Sequence, residues 1–142
     1  MIKTINDKKI MLSNKIKEIF KEFDFNLTKR QIIFHVLAED YERQEILDFY
    51  CKKNWQSILK DKNNIFDYHL IYMEPKAILK FLPAFMLYCI EDPDNADLLV
   101  ENLIDCLKTD RELKNLITIY LTLEQQIIIE NFLEYILKYH WS

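Results

Sequence analysis

The chain has 142 residues, half of them hydrophobic and 30% charged, with a formal net charge of −4 at pH 7. That length suits one domain around one core, and the composition excludes a disordered segment. Glycine is absent altogether, which removes the phosphate loop, the dinucleotide fingerprint and the nucleophile elbow, because each needs backbone that glycine supplies.

Without glycine, helices are favoured over tight hairpins. Helix C-caps have a common substitute in asparagine, which tolerates the left-handed region, and Asn54, Asn63, Asn64 and Asn95 stand near predicted helix boundaries. An all-α, single-domain fold of about six helices is expected over residues 1–142.

Leu12, Ile16, Ile19, Phe20 and Phe23 share one face of a helix running from about Asp7 to Phe23, with Lys8, Lys9, Lys15, Lys17 and Lys21 on the solvated side. Thr28 with Gln31 forms a capping box, which predicts a short helix carrying Ile32, Ile33, Val36 and Leu37. Asp40 is expected to cap the next helix, with Glu42 in its first turn, Ile46, Leu47, Phe49 and Tyr50 inward, and Lys52 and Lys53 at its end. The stretch from Asn54 to Asn64 predicts a turn and one short helical piece.

From Pro75, proline at the first helical turn opens an element whose residues Phe81 to Ile90 are apolar on nearly every side, as in a central buried helix kinked at Pro83. Pro93 closes it, and Asp94 is expected to cap a helix reaching about Lys108. There Asp94, Asp97, Glu101 and Asp105 recur at spacings of 3, 4 and 4, one acidic stripe, while Leu99, Val100, Leu103, Ile104 and Leu107 turn inward. Leu113 to Leu121 fits either a helix or an extended segment. Thr122 with Gln125 starts a final helix with Ile128, Ile129, Phe132, Leu133, Ile136 and Leu137 inward.

Candidate chemistry is sparse. Cys51, Cys89 and Cys106 form no CxxC pair and are expected to act as small buried hydrophobes. His35, His69 and His140 lack ligand spacing, so neither a metal nor another cofactor is expected. A calcium loop opening at Asp92 fails, with Asp97 at its glycine position and Leu103 where a bidentate glutamate is needed. Glu39, Asp40, Glu42, Glu45 and Asp48 offer carboxylates for acid–base work, although such residues more often form a solvated helix face. The longest apolar run, Phe81 to Ile90, falls short of the roughly 20 residues a membrane span needs. No export signal opens the chain, and a cytoplasmic protein is expected.

Charge is divided along the sequence. Residues 1–30 carry a net +4, whereas residues 91–112 hold eight acids against Lys108 and Arg111, a net −6. Such an acidic block attracts a basic partner and repels nucleic acid phosphates.

From Tyr41 to about Leu137 the chain resembles a family of small bacterial helical proteins classed as a domain of unknown function. The residues that carry the likeness are Tyr41-Glu42, Phe49 and Trp55, the block Met73-Glu74-Pro75-Lys76-Ala77, and Phe81-Leu82-Pro83-Ala84-Phe85-Met86-Leu87. Glu91-Asp92 through Asp97, Leu121-Thr122 with Glu124-Gln125, and Phe132-Leu133 with Tyr135 complete it. The resemblance implies a helical fold and no catalytic residues, and leaves the basic residues 1–40 outside it.

The expected function is therefore a non-enzymatic binding protein, of immunity or antitoxin type, that occludes a basic toxin domain through Asp94, Asp97, Glu101 and Asp105. An adaptor or self-associating subunit is the first alternative, and an enzyme with a carboxylate-based site the second.

Overall fold

The computed structural model describes residues 4–34 and 40–139, with Asp40 described through its backbone. Helix α1 spans Ile5–Ile19, α2 Asp40–Tyr50, α3 Trp55–Lys60, α4 His69–Tyr72 and α5 Pro75–Glu91. The single turn α6 spans Pro93–Ala96, α7 Leu98–Thr109, α8 Arg111–Tyr120 and α9 Leu123–Tyr139. Six of these, α1, α2, α5, α7, α8 and α9, have ten or more residues. The fold is all-α, as expected.

Helix α5 is the axis of the molecule. From Ala77 to Ile90 every residue is buried, Pro83 included, because apolar side chains cover all its faces and α1, α3, α7 and α8 pack around it. The helix continues through Pro83, where the missing N–H removes one rung of the backbone ladder. Lys80 reaches the rim of this core and sets its ammonium 3.5 Å from Asp24. Around the axis, the Trp55 indole N–H donates to the Phe20 carbonyl at 3.0 Å and joins α3 to the end of α1. Helix α9 packs on α1.

Several predicted boundaries move. Helix α1 ends at Ile19 and starts earlier than expected, at Ile5, because Thr4 and Asp7 cap it reciprocally. The Thr28–Gln31 box is formed, with the Thr28 N–H donating to the Gln31 side chain at 2.9 Å, yet only one 3-10 turn, Lys29–Gln31, follows it. Ile32 closes that turn with helical dihedrals, φ −88° and ψ −42°, and the predicted helix goes no further, since Ile33 is a bridge residue. Ile33 pairs with Met73 in an antiparallel bridge, in which the Phe34 N–H donates to Tyr72 O and the Glu74 N–H to Ile32 O, both at 2.9 Å. Backbone pairing across the core replaces the predicted helix there, and Val36, Leu37 and His35 lie outside the described residues.

Asp40 is the first residue of α2 and not the cap before it. The predicted asparagine C-caps do not form either. Positive φ falls on Lys52 (59°) and Asp97 (44°) among the described residues, while Asn54 caps the start of α3 by accepting from the Ser57 N–H at 2.8 Å. The ambiguous segment Leu113–Leu121 resolves as helix up to Tyr120, since the Asp110 side chain caps α8 by accepting from the Leu113 N–H at 3.1 Å. The Thr122–Gln125 box opens α9 in both directions, at 3.0 and 3.1 Å. Leu137, predicted to face inward, is exposed.

Candidate functional site

The acidic segment begins where α5 ends. Glu91 pairs with Lys17 at 3.0 Å and Asp92 approaches Lys62 at 3.9 Å, so α1 and the turn after α3 neutralise the first two carboxylates. The Asn95 side chain also donates to both Asp92 oxygens, at 3.0 and 2.9 Å. Beyond this neutralised edge, Asp94, Asp97, Glu101 and Asp105 are all exposed, and none of them forms an ion pair among the described residues.

These four do not lie on one helix, which corrects the single stripe read from spacing. Pro93 opens a separate turn, α6, that closes when the Asp97 N–H donates to Pro93 O at 2.9 Å. The chain then reverses at Asp97, whose φ of 44° and ψ of −115° lie in a region natural to glycine. Its side chain makes no cap hydrogen bond and so does not offset a strain of about 1–3 kcal/mol. Helix α7 restarts the helical phase and carries Glu101 and Asp105 one turn apart, with Leu99, Val100, Leu103, Ile104 and Leu107 buried beneath, as predicted. The acidic surface therefore has two parts: a knuckle at Asp94 and Asp97, and a helix face at Glu101 and Asp105.

Two hollows adjoin it. One, of about 380 Å³, is walled by Asn63, Phe66, Asp67, Tyr88 and Asp97. The smaller, about 190 Å³, lies between Glu101, Asp105, Lys108 and Leu137. The Asn102 amide donates to Asp67 O at 2.8 Å and fastens α7 to the strap before α4. At the rim of the larger hollow, burial and then the negative charge of Asp92 push the Tyr88 phenol up from its ordinary pKa.

A second polar constellation lies inside the fold, and spacing gave no sign of it. The His69 Nδ1 lies 2.8 Å from the Tyr50 hydroxyl and its Nε2 lies 3.4 Å from Glu45 Oε1, to which the Tyr68 hydroxyl also donates. The partners fix one consistent assignment: Nδ1 accepts the Tyr50 proton, and the Nε2–H donates to the carboxylate. Phe49, Tyr50, Phe66 and Tyr68 ring the imidazole with centroids 5.1–6.1 Å away. Burial lowers the His69 pKa against the upward pull of Glu45. Burial also raises Tyr50 well above its ordinary value.

Of the carboxylates that the sequence offers for acid–base work, Glu45 lies in this cluster, whereas Glu39 and the Asp40 side chain lie outside the described residues. Tyr50 and His69 are fully buried, so no solute reaches the imidazole without the helices parting. The chain of groups ties α2 to α4 and satisfies polar atoms that would otherwise be buried unpaired. No group of three or more metal-ligating side chains occurs among the described residues, and His140 lies outside them. Cys89 is buried, while Cys51 and Cys106 are half-buried. Burial, then Asp110 and Asp105, lifts the Cys106 thiol to about 11, away from nucleophilic use. Among the described residues no helix is long and apolar enough to cross a membrane.

No family model, curated protein or solved structure matches this chain. The family resemblance expected over residues 41–137 therefore finds no support in these comparisons.

Proposed function

We propose that the chain is a non-enzymatic protein-binding module whose acidic surface, formed by Asp94, Asp97, Glu101 and Asp105, engages a basic protein partner. The observation that carries this reading is the contrast within one segment. Glu91 and Asp92 are held by lysines of the same chain, while the next four carboxylates stand exposed and unpaired beside two hollows. Unpaired like charges cost a little stability, about 0.2–0.5 kcal/mol per adjacent pair, and a strained residue at their centre costs more. A surface kept in that condition suits a partner of opposite charge, whose approach it accelerates. In its finer form the reading is of an immunity or antitoxin-type protein that covers a basic toxin domain in the cytoplasm.

A second reading, self-association, is favoured by a different surface. Ile119, Tyr120, Leu123 and Ile127, on α8 and α9, are each more than half exposed, beside an apolar groove of about 340 Å³ lined by Leu107, Ile117 and Ile129.

The test begins with capture and identification of the native partner on the immobilised chain, followed by association kinetics at two salt concentrations. Replacing Asp97 and Glu101 with Lys is expected to slow association at least several-fold at low salt and to flatten its salt dependence. An unchanged association rate in this variant overturns the acidic-surface reading. A concentration-dependent dimer lost on Leu123→Lys would instead establish the second.

A further inference from the structure

Independently of the acidic surface, a hollow of about 420 Å³ lies between α1 and α9, at the size of a small-molecule pocket. Its character is opposite to that of the acidic segment. Lys8 and Lys15 border it from α1 and Lys138 from α9, against the single carboxylate of Glu134. None of these three lysines forms an ion pair among the described residues.

Two of the ammonium groups are held in place. Lys8 Nζ donates to the Tyr139 hydroxyl at 2.9 Å, and the Lys8 and Lys138 ammonium groups lie 5.5 and 5.4 Å from the centre of the Tyr139 ring. The bond from Lys8 pulls the Tyr139 phenol below its ordinary pKa. Because its oxygen accepts from Lys8, its own proton is left to donate outward. Beside this cationic end, Met11, Leu12 and Ile128 supply an apolar wall. Pinned cations next to an apolar wall form a surface with two unlike ends.

We infer that this hollow binds a small amphiphilic anion, a molecule with one acid group and an apolar body. The acid group lies between Lys8, Lys138 and the Tyr139 hydroxyl, and the body covers Met11, Leu12 and Ile128. Charge complementarity selects the acid, since an uncharged body would leave the ammonium groups partly desolvated and unpaired. A soluble acid fits better than a membrane surface, because Lys8, Lys15 and Lys138 border one hollow of small-molecule size, whose rim also carries the carboxylate of Glu134.

The probe is 8-anilinonaphthalene-1-sulfonate, an aryl sulfonate whose fluorescence rises on binding, with the uncharged N-phenyl-1-naphthylamine as comparison. Saturable one-to-one binding of the sulfonate is expected, displaced by monomeric dodecanoate. It should weaken about tenfold when Lys8 and Lys138 are both changed to Gln, as for the loss of two exposed charge contacts. Binding of the uncharged probe should not weaken with that change. Asn131→Trp, which fills the hollow from its exposed wall while keeping the lysines, should abolish sulfonate binding, and unchanged helical circular dichroism certifies both variants. The inference is overturned by equal sulfonate affinity in the Gln variant, by binding that survives Asn131→Trp, or by displacement with anionic lipid vesicles and not with dodecanoate.

Discussion

Replacing Asp97 with Gly should make the protein more stable, although it introduces the first glycine into the chain. Asp97 sits at φ 44° and ψ −115° without a capping hydrogen bond from its side chain. A β-carbon in that region costs about 1–3 kcal/mol, and glycine's larger loss of chain entropy returns about 0.5–1 kcal/mol of the gain. The net expectation is about 1 kcal/mol of added stability, or roughly 2–4 °C in Tm for a domain of this size.

Urea melts of the wild type, Asp97→Gly and Asp97→Ala separate the causes. Alanine removes the carboxylate but keeps the β-carbon, so its stability should stay within about 0.5 kcal/mol of the wild type. A glycine variant no more stable than the alanine variant would refute the argument from strain. Lys52→Gly, at φ 59°, should show a smaller gain of about 0.5 kcal/mol.

Phe85→Ala should cost about 3–5 kcal/mol in a denaturant melt, since Phe85 is fully buried in α5. A loss below about 1 kcal/mol would place it outside the core. Asp110→Ala should cost about 1 kcal/mol by leaving the Leu113 N–H uncapped, visible as a lower urea midpoint.

The pH dependence follows from His69. Its folded pKa lies below the ordinary 6.5, so just below that pH the unfolded chain binds more protons, and stability falls as pH drops from 6.5 through the folded pKa. Urea midpoints measured from neutral pH downward should show this slope, and His69→Gln should flatten it. An equal slope in the variant assigns the effect to other groups.

The sequence made the apolar framework legible wherever local signals agreed. Pro75 followed by an unbroken apolar stretch marked α5, and Thr122 with Gln125 marked the start of α9. Periodicity failed where long-range partners decide: Ile32 and Ile33 carry helical spacing but pair with the backbone beside Met73. It failed again at Asp97, since spacings of 3, 4 and 4 define a stripe only if the helix is continuous, and one positive φ resets the phase. The His69 cluster was invisible for a different reason. Glu45 and Tyr50 lie 24 and 19 residues from it, and no motif at that distance announces a buried hydrogen bond.

The burial of α5 on all sides also constrains how the chain acquires its shape. Helices α1 and α3, which cover part of it, precede it in sequence, whereas α7 and α8 follow it. During synthesis from the N-terminus α5 therefore exists for a time with its later cover still unmade, presenting aromatic and aliphatic side chains to water. That interval is when intermolecular association competes with folding. The cover of α5 is therefore complete only once α7 and α8 have been made and docked.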